Sequence, residues 1–207
     1  MNKIKEIASR TRLNIVASIY QDDQAEPPES DIVRIAYGGV PGYKLGTQAC
    51  TYDELRKIER DIKSGLLVGV RVWAYIHSSA SISTGNKRRE NPYECPWDSG
   101  HSGWAYMTAE DARLEFGSKR LSAQQREKMH QYIDGVVAEF DAYLMGEVYG
   151  FSVDRIERDE NGFETNREQV DACWGFYGEQ HVTREALEAM AEVVAQSVGE
   201  GIHARRA

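Results

Sequence analysis

Leu66-Leu67-Val68-Gly69-Val70-Arg71-Val72-Trp73-Ala74-Tyr75-Ile76-His77 decides the reading of this chain. Nine of its twelve residues, from Leu66 to Ile76, are aliphatic or aromatic, with valine at 68, 70 and 72. That composition reads as a long strand, and its apolar density as a central strand covered on both faces. Just before it, Thr51-Tyr52-Asp53-Glu54 fits a capping box, a hydroxyl N-cap with glutamate three residues on. Leu55, Ile58 and Ile62 then recur at helical spacing, and Ser64-Gly65 ends the helix. After the strand comes no second helix but a polar connection over 78–103, rich in Ser, Gly and Pro. A connection of that length inside a domain is unusual and often functional.

Working outward, residues 12–20, Arg-Leu-Asn-Ile-Val-Ala-Ser-Ile-Tyr, read as a strand and Gln21–Ser30 as a loop. Asp31–Tyr37 reads as a second strand, stopped by Gly38-Gly39 and Pro41-Gly42; a hairpin between the two is the simplest pairing. Trp104–Met107 is a short strand, and Thr108-Ala-Glu-Asp111 opens a helix. From Ser122 to Leu144, residues Met129, Tyr132, Ile133, Val136, Val137, Phe140 and Leu144 give the cleanest helical period, with Gly146 as the expected C-cap. Glu147–Glu157 and Gln169–Phe176 read as strands joined through Asp159-Glu160-Asn161-Gly162. A last helix runs from Ala186 to about Val198, capped by Thr183. Strands outnumber βαβ units. The expectation is therefore an α+β fold, a mainly antiparallel sheet of about five to seven strands with four helices packed on it. No linker divides the chain, so a single domain over 1–207 is expected, with 78–103 its only seam.

The chain has 207 residues, 41% hydrophobic and 28% charged, as in ordinary folded proteins. Twenty-five basic against 33 acidic residues give a net charge of −8. That balance argues against a dedicated nucleic-acid surface. The local basic runs Lys87-Arg88-Arg89 and Arg205-Arg206 read as solvated loop and chain end. No apolar run approaches the roughly 18 residues of a membrane span, and Met1-Asn2-Lys3-Ile4-Lys5-Glu6 has no signal-peptide core. Three cysteines, Cys50, Cys95 and Cys173, make no paired framework, so a reducing cytoplasm is expected.

Chemistry-bearing residues gather in Cys95-Pro96-Trp97-Asp98-Ser99-Gly100, in Gly103-Trp104-Ala105-Tyr106 and in Asp171-Ala172-Cys173-Trp174-Gly175-Phe176-Tyr177-Gly178. The histidines His77, His101, His130, His181 and His203 show no metal-binding spacing, and a composite zinc site from Cys95, His101 and Cys173 is not expected. Neither a metal nor a cofactor is called for. Asp98-Ser99-Gly100 has no second copy to form an aspartic dyad, and Ser99 and Ser102 lack the Gly-x-Ser-x-Gly elbow. Cys173 with Asp171 and a histidine is chemically suited to thiol catalysis, but a cysteine within a strand reads first as a small buried residue. The glycine-rich run Gly38–Gly46 lacks Gly-Lys-Ser/Thr and reads as a turn. Alternation pairs Trp104 with Tyr106, Tyr149 with Phe151 and Trp174 with Phe176 on common faces. Most of these rings are expected in the core, with Asp98 and Asp171 bridging turns in front of packed tryptophans.

These motifs, with Tyr75-Ile76-His77-Ser78-Ser79 and Tyr143-Leu144-Met145-Gly146-Glu147-Val148-Tyr149-Gly150-Phe151, resemble a family of uncharacterised proteins of tailed bacteriophages, prophages and related mobile elements. The resemblance covers roughly residues 66–178. In that family the first motif is usually Tyr-Asp-His-Ser-Gly; here Ile76 replaces the aspartate and Ser79 the glycine. The resemblance implies a mobile-element origin and no activity.

Three functions are expected in descending order. The first is a non-enzymatic accessory protein that binds a host or phage protein, an inhibitor of a CRISPR or restriction complex being one form. Its binding residues are drawn from Trp97, Asp98, Ser99, His101, Trp104, Asp171, Trp174 and Tyr177. The second is a hydrolase-like enzyme with His77, Asp98 and Cys173. The third is a nucleotide or small-ligand binder using Trp97, Trp104 and Trp174. A homodimer is compatible with each; a membrane partner is not expected.

Overall fold

The computed structural model describes residues 2–9, 14–86, 89–115, 117 and 121–204, with side chains through Val198. Arg12 and Leu13 of the expected first strand, the basic pairs Lys87-Arg88 and Arg205-Arg206, and the His203 side chain lie outside the described residues. The fold is α+β, with four helices and two mostly antiparallel sheets. Its contacts fall into two compact units. One combines Met1–Glu26 with Gly146–Ala207; the other is Pro27–Met145, inserted between those segments. The 78–103 segment lies within the inserted unit.

The discontinuous unit has strands β1 (Asn2–Ala8), β2 (Ile15–Gln21), β8 (Val148–Arg158) and β9 (Glu164–Tyr177), in the spatial order β1-β2-β8-β9. Every neighbouring pair is antiparallel. Helix α4 (Glu179–Ala204) covers one face. Val182, Ala186 and Met190, four residues apart, pack on Ile15, Ala17, Ile19, Phe151 and Val153. The helix starts at Glu179, ahead of the expected Thr183 cap, because the chain turns directly out of β9 at Gly178 (φ +89°). The opposite face is polar. Asp154, only 3% exposed, accepts from Ser152 Oγ at 3.1 Å and from Arg167 Nη1 at 2.9 Å. Arg167 also pairs with Glu164 and Glu6, so the buried charge is compensated.

The inserted unit has strands β3 (Arg34–Gly38), β4 (Gln48–Cys50), β5 (Leu67–Ile76), β6 (Ala80–Ser83) and β7 (Ser99–Thr108), ordered β4-β3-β7-β5-β6. Only β3–β4 is parallel. Helix α1 (Tyr52–Ser64) has the expected capping box: Thr51 Oγ1 accepts from Glu54 N and Glu54 reaches back to Thr51 N at 2.7 Å. Gly65 (φ +81°) closes it in the left-handed region. Helix α2 (Ala109–Glu115) starts after Thr108, whose hydroxyl accepts from Asp111 N. Helix α3 (Ala123–Leu144) buries Met129, Ile133, Val137 and Phe140 against Val68, Val70, Val72 and Ala74 of β5. Its C-cap is Met145, and Gly146 (φ +71°) follows as the left-handed residue. The other face of the sheet packs Trp104 and Tyr106 under Ile58 of α1.

Two sequence expectations about pairing are corrected. The first two expected strands do not form a hairpin: β2 pairs with β1 and β8, while β3 pairs with β4 and β7 in the other sheet. The connection between them carries Pro27-Pro28, which holds backbone extended and donates no hydrogen bonds. Trp174 and Phe176 do not share a face. Gly175 (φ +84°) is an extra residue, since Phe176 pairs with Tyr149 and Trp174 with Gly150. Such a glycine bulge resets the alternation. Trp174 therefore lies on Gly150 beside Tyr20, and Phe176 stacks on Phe151 on the helix side.

Candidate functional site

Cys95-Pro96-Trp97-Asp98 forms a turn leading into β7, and its surroundings fix its shape. Ser99 Oγ donates to the Cys95 carbonyl at 2.6 Å and accepts from Asn91 Nδ2 at 2.9 Å. The Asp98 carbonyl accepts from Ile76 N at 2.8 Å. Pro96 presets its own φ. On the Asp98 carboxylate, the same Oδ2 lies 3.4 Å from His77 Nδ1 and accepts the Cys95 thiol at 3.4 Å. The expected pair His77 and Asp98 is thus brought together, with Cys95 as third member. Cys173 and Asp171 belong to the discontinuous unit and His77 and Asp98 to the inserted one.

This order of groups has a chemical consequence. Cysteine catalysis needs an imidazole on the thiol, with a carboxylate behind the imidazole. Here the carboxylate sits between thiol and imidazole and accepts a hydrogen bond from the thiol. That order of groups suits a stapled turn rather than a nucleophile. Among the described residues, no group of three or more His, Cys, Asp or Glu side chains could hold a metal ion.

Trp97 is at the tip of this turn and is 92% exposed, the highest exposure among the large hydrophobic residues described. The expectation that tryptophans pack behind the aspartates holds for Trp104, which is 7% exposed, and fails for Trp97. Two carbonyl anchors and a proline aim its indole outward, leaving it no neighbour to cover it.

Further along β7, His101 lies edge-on to Trp73 and Trp104, with ring centroids 5.8 and 5.2 Å away. Its pKa is pushed below the ordinary value by burial against these rings and then by Arg71. Arg71 stands 5.6 Å over the Trp104 ring. Trp73, Arg71 and Arg89 were not among the expected site residues. The signal for the first two was the alternation of the opening strand, which puts Gly69, Arg71 and Trp73 on one face.

In the discontinuous unit, Asp171 is exposed and its carboxylate accepts the neighbouring Ala172 N at 2.8 Å. Cys173 is exposed, against the expectation of a buried residue. It lies on the edge strand β9, where no further strand covers it. Tyr177 Oη donates to the Glu26 carbonyl at 3.0 Å. A depression of about 730 Å³ beside Tyr177 and His181 has both Glu147 and Arg184 in its wall, so no single charge sign dominates it.

Among the described residues, no helix is long and apolar enough to cross a membrane. No protein-family model matches the chain, and neither the curated proteins nor the solved structures contain a match to it.

Proposed function

We propose that this chain is a non-enzymatic binding protein that docks on a protein of the bacterial host or of the phage, with the Trp97 turn as its anchor. One observation carries the reading: an indole that is 92% exposed stands on a turn held rigid by side-chain and backbone bonds. Burying a large aromatic side chain contributes about 3 kcal/mol, which the free protein forgoes at Trp97. Rigid, exposed tryptophans are the commonest centres of binding energy at protein interfaces, because little conformational freedom is lost on docking. The resemblance to phage and prophage proteins supports a partner from that setting, and a CRISPR or restriction complex is its concrete form.

The test compares tagged wild type with Trp97→Ala in bacterial lysates by quantitative mass spectrometry, after matching their melting temperatures. A bacterial or phage protein enriched by wild type and lost with Trp97→Ala supports the proposal. Identical recoveries from both proteins, or no enrichment by wild type, sink it.

A further inference from the structure

A second feature of the inserted unit leaves Trp97 itself out and shares Asn91 with its turn. Strand β6 pairs only with Trp73–Ile76 of β5, so Gly69–Val72 has β7 on one side and no strand on the other. A cavity of about 450 Å³ opens along this uncovered edge. Arg71, Trp73 and Trp104 form its sheet wall, and Arg89, Asn91 and His130 close it from the following loop and from α3. The volume is within the range of small-molecule sites, about 300–1,000 Å³.

The lining is specific in charge. Arg89 is locked: both guanidinium nitrogens bond the Asp134 carboxylate, Nη2 at 2.9 Å, and its carbonyl accepts Trp73 Nε1 at 3.2 Å. These anchors hold Arg89 at φ +61°, a left-handed conformation that costs a non-glycine residue about 1 kcal/mol or more. Arg71, in contrast, is exposed and makes no ion pair among the described residues. Of the acids nearby, Glu59 is held by Lys63 at 2.7 Å, and Glu90 lines the cavity beside Arg89. Among the described lining residues, Arg71 thus keeps its guanidinium over an indole ring and out of any ion pair, on a protein whose net charge is −8. His130 is pushed below the ordinary imidazole value by burial and then by Arg89, so at neutral pH it offers one donor and one acceptor rather than a charge. Asn91 adds an amide, and the open strand edge adds main-chain groups.

We infer that this cavity binds a nucleoside monophosphate, with the phosphate on Arg71 and the base against Trp73, its edge read by Asn91, His130 and the β5 backbone. A planar base matches the indole wall, and a phosphate matches Arg71, the one lining cation without an ion pair among the described residues. A triphosphate brings more negative charge than Arg71 compensates, and Glu90 in the lining opposes it.

Isothermal titration calorimetry of the full chain tests this with the four common ribonucleoside 5′-monophosphates, the matching nucleosides and triphosphates, and inorganic phosphate. At least one monophosphate is expected to bind with Kd of about 100 µM or tighter, and more tightly than its triphosphate. Arg71→Ala, on an exposed side chain, is expected to weaken it at least about tenfold, and Trp73→Phe to weaken it less. Trp97→Ala should bind unchanged, which separates this site from the proposed docking turn. Three results overturn the inference: no monophosphate binding at about 1 mM, inorganic phosphate binding as tightly as any nucleotide, or Arg71→Ala binding like wild type.

Discussion

A methyl group at Gly103 would collide with the carbonyl oxygen of Ala36 on the paired strand β3, and one at Gly150 with the Trp174 ring. The two collisions differ in what can give way. The Ala36 carbonyl is sheet backbone, whereas Trp174 is 39% exposed and free to swing outward. Gly103→Ala is therefore expected to destabilise the protein by about 3 kcal/mol and Gly150→Ala by about 1 kcal/mol. Gly39→Ala, where a Cβ meets nothing within 4 Å, should cost nothing measurable. Circular-dichroism melts of the three variants check the order, and equal losses at 103 and 39 would refute it. At this scale the motifs were legible as residue types but not as roles. Nothing local distinguishes Trp97, in water, from Trp104, under α1; only their neighbours do. The aspartate of Pro-Trp-Asp-Ser-Gly was legible as a turn residue, while its thiol and imidazole partners came from 3 residues before and 21 residues before it.

Elements with their own start and stop signals could be read directly. The capping boxes of α1 and α3 satisfy their first-turn N–H groups by local bonds, so Thr51 and Ser122 announce those helices whatever surrounds them. Strand β1 has no such signal: Asn2–Ala8 has three charged residues in seven and is exposed but for Ile7, and it is a strand because β2 offers it a hydrogen-bonding edge. The joint between α3 and β6 is likewise invisible in sequence. Asp141 Oδ1 accepts from Ile82 N at 2.7 Å, and burial raises the Asp141 carboxyl above its ordinary value of 3.8. An acid whose pKa is raised by folding holds its proton more tightly in the native state. Its contribution is greatest below the ordinary pKa and declines as pH rises through the folded-state value. Asp141→Asn keeps an acceptor for Ile82 and removes the buried charge. It is expected to melt higher than wild type at about pH 7, with the gap closing toward about pH 4. A gap that is constant with pH, or a variant that melts lower at neutral pH, contradicts the assignment.

Over the whole molecule, each unit has its own sheet and its own buried cluster, Val33 to Phe140 in one and Ile15 to Met190 in the other. Residues 27–145 contain every strand and helix of their unit, so this fragment alone is expected to show cooperative melting and a near-ultraviolet aromatic signal. Residues 146–207 alone lack β1 and β2 and with them Ile15, Ala17 and Ile19, and should be largely unfolded. Spectra of the two fragments decide the matter; an unfolded 27–145 fragment would mean that the inserted unit depends on the rest of the chain. By itself the sequence determined the helices with capping signals, the long β5 strand, the β8–β9 hairpin and the α+β class, because each depends on patterns a few residues long. Tertiary structure alone decided that β2 joins β8 rather than β3, that Gly175 turns Trp174 away from Phe176, that Asp98 stands between a thiol and an imidazole, and that Arg71 has no ion pair among the described residues. Those outcomes depend on which distant groups compete for one strand edge, one face or one carboxylate, and local sequence does not encode that competition.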